Sequence, residues 1–210
     1  MTEHVVAEHF ESSAQAYESS KLGLWLFLVT EILMFGGLFV IYIVNRALYP
    51  EMFQEASHHL NVALGATNTV VLICSSFTMA MAVNLTRLNK NAQAQKMLLL
   101  TLLFAACFMV IKYFEYTHKI HEGLVPGGLF HYEGEHHPKM QLYFSLYFLM
   151  TGLHGTHVFV GMCLIFWVYL KSRSGVLSSS YYTPVELVGL FWHLVDLIWI
   201  YLFPLLYLIG

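Results

Sequence analysis

Five long, almost uninterrupted apolar stretches constrain this chain more than any motif: Leu22–Val44, Val62–Leu85, Met97–Tyr116, Leu142–Leu170 and Pro184–Ile209. A helix needs about 20 such residues to cross a hydrocarbon core about 30 Å thick. Membrane barrels are built instead from alternating strands of about ten residues, which these runs do not resemble. A helix also pairs its own backbone groups where lipid offers no partner. The pattern predicts an all-α membrane protein, a bundle of five transmembrane helices. The fourth run exceeds the minimum length, which allows tilt or a protruding end without fixing an angle. Composition agrees, with 11% charged residues against about 25% in ordinary soluble domains.

Residues 1–21 read as a polar lead-in lying at the membrane surface. Glu3, Glu8, Glu11 and Glu18 occur before the first basic residue, Lys21, whereas a secretory signal begins with basic residues. Residues 22–210 then form one five-helix domain without internal repeats. Lys21, Arg87, Lys90, Lys96, Lys171 and Arg173 fall on the face shared by the N-terminus, against Arg46, Lys119 and Lys139 on the other. That excess predicts a cytoplasmic N-terminus and a periplasmic C-terminus. The longest loop, Lys119–Gln141, with Pro126-Gly127-Gly128, Glu133, Glu135, His136 and His137, suits a folded external segment. A formal charge of -3 provides no basic patch, which argues against a nucleic-acid partner. Cys74, Cys107 and Cys163 lie inside apolar runs and read as small buried hydrophobes.

Ionisable side chains at membrane depth are expensive and usually face protein. Glu31 lies well inside the first run, either as a proton-exchanging or ligand-binding group or as an acid bonded to a neighbouring helix. Asn68, Thr69, Ser75 and Ser76 read as interhelical hydrogen-bonding groups. Lys112 and Glu115 are spaced to pair on one helical face, and Lys112 can extend its ammonium toward the interface. His154 and His157, and again His193 and Asp196, sit three apart, with Glu186 preceding the latter pair. Imidazole invites a metal or haem reading, but the spacings form no zinc signature. The favoured expectation is a buried polar network between helices, its members satisfying one another. Gly152, Gly155 and Gly161 are expected to let other backbones approach closely.

These residues carry a resemblance to the haem–copper oxidase subunit III family. The first span reads LGLWLFLVTEILMFGGLF around Glu31, and the second contains NTVVLICSS from Asn68. KYFEY from Lys112, TGLHGTHVFVG from Thr151 and VELVGLFWHLVDLIWIYLF from Val185 follow on the remaining three spans. Larger members of that family have seven spans; this chain lacks the first two and resembles the five-helix bacterial form.

The resemblance implies a multi-pass subunit in the bacterial inner membrane, within a complex that reduces dioxygen to water and translocates protons. It implies no catalytic, cofactor-binding or metal-binding residue in this chain. Haems and copper would lie in the partner subunits I and II, with a small subunit IV as a further partner. The implied role is supporting: packing on subunit I, holding phospholipid, and sustaining proton uptake. Lys171 or Arg173 would contact a lipid headgroup. Cytochrome c is the favoured electron donor, with quinol as the alternative, docking in either case on other subunits. Two rivals remain: a helper subunit of a nitric oxide reductase, and an independent proton channel built around Glu31, His154 and Asp196.

Overall fold

The computed structural model describes residues 12–128, 130–131 and 137–208. Glu133, Glu135 and His136 of the long loop, the first eleven residues, and Ile209 and Gly210 lie outside them. The described chain forms α1 (Ser13–Leu48), α2 (Pro50–Ser57), α3 (Val62–Arg87), α4 (Asn91–His121), α5 (His137–Arg173) and α6 (Thr183–Phe203). A π-helical segment, Pro204–Leu208, follows α6. Five helices are long and apolar enough to cross a membrane, as the apolar runs predict.

Local signals set the ends of these helices. The Ser12 side chain accepts from the Gln15 amide and Asn61 from the Leu64 amide, capping donors that a helix start leaves unpaired. Pro50 and Pro184 occupy first turns, where the missing N–H costs nothing. Gly175 has a φ of 75° after α5, a left-handed stop suited to glycine. α1 begins nine residues before the apolar run it contains, so Ser13 to Lys21 continue the first membrane helix.

Hydrogen bonds at both ends show the alternating course of the spans. At one end Glu186 of α6 accepts from Tyr17 of α1 and Arg87 of α3, and Asn91 and Gln95 of α4 donate to the carbonyls of Leu177 and Ser172. At the other, Tyr42 of α1 and Tyr143 of α5 donate to the carbonyls of Leu205 and Leu206. Lys119 of α4 donates to the carbonyl of His59. The short amphipathic α2 buries Met52, Phe53 and Ala56 beneath this second end.

Burial is uneven. In the most apolar part of α6, 50% of the residues are buried, against 17% in α1. α3 to α6 therefore make the core, and α1 leans on α5 and α6 from outside. Trp192 and Trp199 are fully buried in that core. A Cβ on Gly161 would lie 2.6 Å from the Trp192 ring, and one on Gly65 2.7 Å from Phe203. Both glycines admit aromatic rings; of those expected to let backbones approach, Gly161 meets a ring, Gly152 the Tyr116 hydroxyl, and nothing lies near a Cβ on Gly155. The three cysteines also differ from expectation. All are exposed, on outward faces where an apolar side chain meets lipid at no cost.

Candidate functional site

Three helices define a wedge. Tyr17, Leu24, Phe27 and Glu31 recur along one face of α1 at helical spacing, and His157, Val160, Leu164 and Trp167 do so on α5. With the first turns of α6 they line a cavity of about 1250 Å³. Tyr17, held by Glu186, stands at its terminal end; Glu31 and His157 form the inner end.

His157 Nε2 lies 2.8 Å from Glu31 Oε2, and Nδ1 lies 2.8 Å from the Leu153 carbonyl. A carbonyl only accepts, so Nδ1 carries a proton. Nε2 and Glu31 then share one further proton. Whichever atom holds it, the pair has no net charge, which suits its apolar setting. Phe35 packs edge-on against the imidazole at 5.4 Å between centroids, closing the wedge beyond the pair.

The second ion pair is enclosed. Lys112 Nζ lies 3.1 Å from Glu115 Oε2 and donates to the hydroxyls of Tyr147 and Tyr207. Both hydroxyls in turn donate to Glu115 Oε1. The rings of Tyr116, Tyr147, Trp199 and Tyr207 surround the ammonium at 5.2 to 5.8 Å, within cation–π range. Lys112 does not reach toward the interface as its position in the sequence suggested. The tyrosines satisfy it in place. A small cavity of about 500 Å³, lined by His58, Asn61 and His118, touches Glu115 from outside.

The remaining polar residues do not merge into one network. His193 Nδ1 lies 2.6 Å from Ser76 Oγ, Trp192 donates to Ser75, and Trp199 donates to Thr69. Glu186, expected in the buried network, sits at the bundle's end and ties α1, α3 and α6 together. Asn68, His154 and Asp196 are buried, yet their polar side-chain atoms complete no hydrogen bond among the described residues. The expectation of full mutual satisfaction is corrected for these three. Ser76 is the polar neighbour of Asp196, and its hydroxyl, which also meets His193, can accept from the imidazole while its proton points to the carboxyl.

His154 and His157 meet different neighbours. Three residues advance about 300° around a helix, so the two imidazoles diverge by about 60°. His157 turns to α1, and His154 turns inward between Phe108 and Trp199. Lys171 stacks its ammonium 4.1 Å from the Trp167 ring at the wedge mouth, and Arg173 is exposed. Among the described residues, no three His, Cys, Asp or Glu side chains converge on a point where a metal could sit. Sequence reasoning missed Tyr17, Arg87, Tyr147 and Tyr207. The four-residue interval of Tyr143 and Tyr147 was the available signal, an inward tyrosine stripe on α5.

A family model of cytochrome c oxidase subunit III matches residues 6–210. The chain belongs to that family. Among subunit III relatives, a cytochrome c oxidase subunit 3 from Synechocystis is 35% identical over 89% of this chain and 74% of its own length. One from Corynebacterium diphtheriae is 31% identical over 90% and 87%. A quinol oxidase subunit 3 from Bacillus spizizenii is 31% identical over 97% of both chains. The subunit III motifs read from the sequence are the segments that supply the two ion pairs and the buried tryptophans.

Proposed function

We propose that this chain is the non-catalytic subunit III of a proton-translocating haem–copper oxidase of the bacterial inner membrane, with its N-terminus cytoplasmic. The carrying observation is how its ionisable residues are used. Both ring nitrogens of His157 are engaged, and Lys112, Glu115 and Glu186 each join two or more helices. Side chains spent on fixing helix geometry support a scaffold. In this reading haems and copper belong to subunits I and II, with a small subunit IV as a further partner, and subunit III packs on subunit I. Lys171 over Trp167 at the wedge mouth supports a phospholipid headgroup contact there, with Arg173 as a second candidate.

Cytochrome c is the proposed electron donor. Quinol is kept as the second reading, because the relatives from Synechocystis and Bacillus spizizenii, one of each kind, match at similar identity. Purifying the complex with and without this chain tests the supporting role. The expected outcome is an unchanged haem spectrum and initial oxygen-reduction rate, with faster loss of activity during turnover. Loss of a haem band with the chain would refute it.

A further inference from the structure

The Lys112–Glu115 cluster holds more than a scaffold needs. Glu115 Oε1 accepts from Tyr147 and Tyr207 at once, lying 2.6 Å from the Tyr147 hydroxyl. The other tyrosines and tryptophans of the core end on weaker bases. Tyr42 and Tyr143 donate to the carbonyls of Leu205 and Leu206, the Tyr116 hydroxyl meets Thr151, and Trp192 and Trp199 donate to Ser75 and Thr69. Among the described residues of the core, Tyr147 and Tyr207 are the phenols that face a carboxylate. Their rings also belong to a row. Between centroids, Trp199 lies 6.5 Å from Tyr207, Tyr207 6.5 Å from Tyr147, and Tyr147 6.2 Å from the half-buried Tyr116.

A phenol that loses an electron becomes strongly acidic, so it oxidises most easily where a base already holds its proton. Two phenols on one carboxylate oxygen meet that condition. The Lys112 ammonium, 5.2 to 5.8 Å from the rings of Tyr147, Trp199 and Tyr207, opposes a ring cation but not a neutral phenoxyl. It therefore directs oxidation to the tyrosines and away from Trp199. The proton also has a way out. The cavity of about 500 Å³ beside Glu115 far exceeds the share of one water, about 30 Å³. His118, one turn further along α4, lines that cavity with 71% of its side chain exposed.

We propose that Tyr147 and Tyr207 form a redox-active pair that captures oxygen-centred radicals, with Glu115 accepting the phenolic proton. The inference rests on the oxidase reading above, in which dioxygen chemistry in the partner subunits is the source of such radicals. In the step, a radical RO• takes one electron through the half-buried Tyr116 ring and one proton from water, and becomes ROH. One of the two phenols supplies that electron. Its O–H bond breaks, and the proton passes to Glu115 and out by the cavity. A neutral phenoxyl remains, while Lys112 and the re-ionised Glu115 again balance, so the cluster keeps no net charge in its apolar setting.

The test uses the intact complex, purified with and without this chain. A lipid-soluble azo initiator supplies the radicals under air, so the outcome does not depend on what the complex itself reduces. Samples frozen during exposure are read by electron paramagnetic resonance. A phenoxyl signal is expected with the chain present and not without it, narrowed when the protein carries ring-deuterated tyrosine. It should form more slowly in D₂O, because an O–H bond breaks in the step. Tyr147→Phe with Tyr207→Phe should remove the signal, and Tyr143→Phe should leave it. Lys112→Met with Glu115→Gln removes both charges and keeps a carbonyl acceptor. This variant should lose the signal, because a positioned base contributes about 100-fold or more to a proton transfer. The isotope measurements need no variant and stand if a substituted chain fails to assemble. An equal signal without the chain, one that survives loss of both phenols or of the carboxylate, or formation at one rate in both solvents would overturn the proposal. None of these results would remove the chain from the oxidase.

Discussion

The two ion pairs inside the membrane-spanning region solve one problem in opposite ways. Lys112 and Glu115 are closed off, with four aromatic rings around the ammonium and two tyrosine hydroxyls bridging the ions. Glu31 and His157 keep 13% and 15% of their side-chain surface accessible and face a cleft open along one side. The first cluster joins α4, α5 and the π-helical segment inside the core. The second is a polar link between the core and the loosely packed α1, beside Tyr17–Glu186 and Tyr42–Leu205. A sealed pair fixes geometry, whereas an open pair keeps an acceptor available. The contrast follows from burial: at the sealed pair several helices meet and supply tyrosine hydroxyls, and at the open pair none does.

The largest expected effect lies at the sealed pair. Glu115→Leu strands a buried ammonium, and breaking such a pair costs about 3–5 kcal/mol. Thermal unfolding of the detergent-solubilised complex should show early loss of this chain. Adding Lys112→Met removes the stranded charge and should restore most of that loss; no recovery would mean that the pair is not what holds the cluster. His154→Ala comes next. Its imidazole forms no hydrogen bond among the described residues, so the cost is the cavity between Phe108 and Trp199, about 2–4 kcal/mol by analogy with other large-to-small changes. It should weaken retention of the chain in the complex without altering the haem spectrum, and His154→Leu should lose less.

Glu31→Gln is expected to be milder still. The amide can donate to His157 Nε2, so the change in stability should stay below about 1 kcal/mol. A loss as large as that of Glu115→Leu would erase the distinction between the pairs. The smallest perturbation concerns which pair lies nearer which face. A cysteine at Asn91, at the start of α4, should react with a membrane-impermeant reagent only from the cytoplasm. Reaction only from outside would place the sealed pair in the cytoplasmic half.

Much of this was readable from the chain. The five helices follow from apolar length, and the Lys112–Glu115 pair from three-residue spacing on one helix, because both are local. Glu31 and His157 were each recognisable as costly at membrane depth, but their pairing joins positions 126 residues apart and has no local signal. Three-residue spacing was silent at His154, because it places two side chains on one helical face without saying which neighbour each one meets. The exposed cysteines misled for a related reason: in lipid, an apolar environment does not mean burial in protein.

By itself the sequence determined the membrane class, the number of spans, the family and the identity of the costly residues. Only tertiary packing decided that Lys112 would be enclosed, that Glu31 would keep an open acceptor, and that α1 would leave a wedge. Hydropathy and helical spacing act within one segment. The partners of a buried charge come from whichever helices cross at that depth, and only the assembled bundle fixes that.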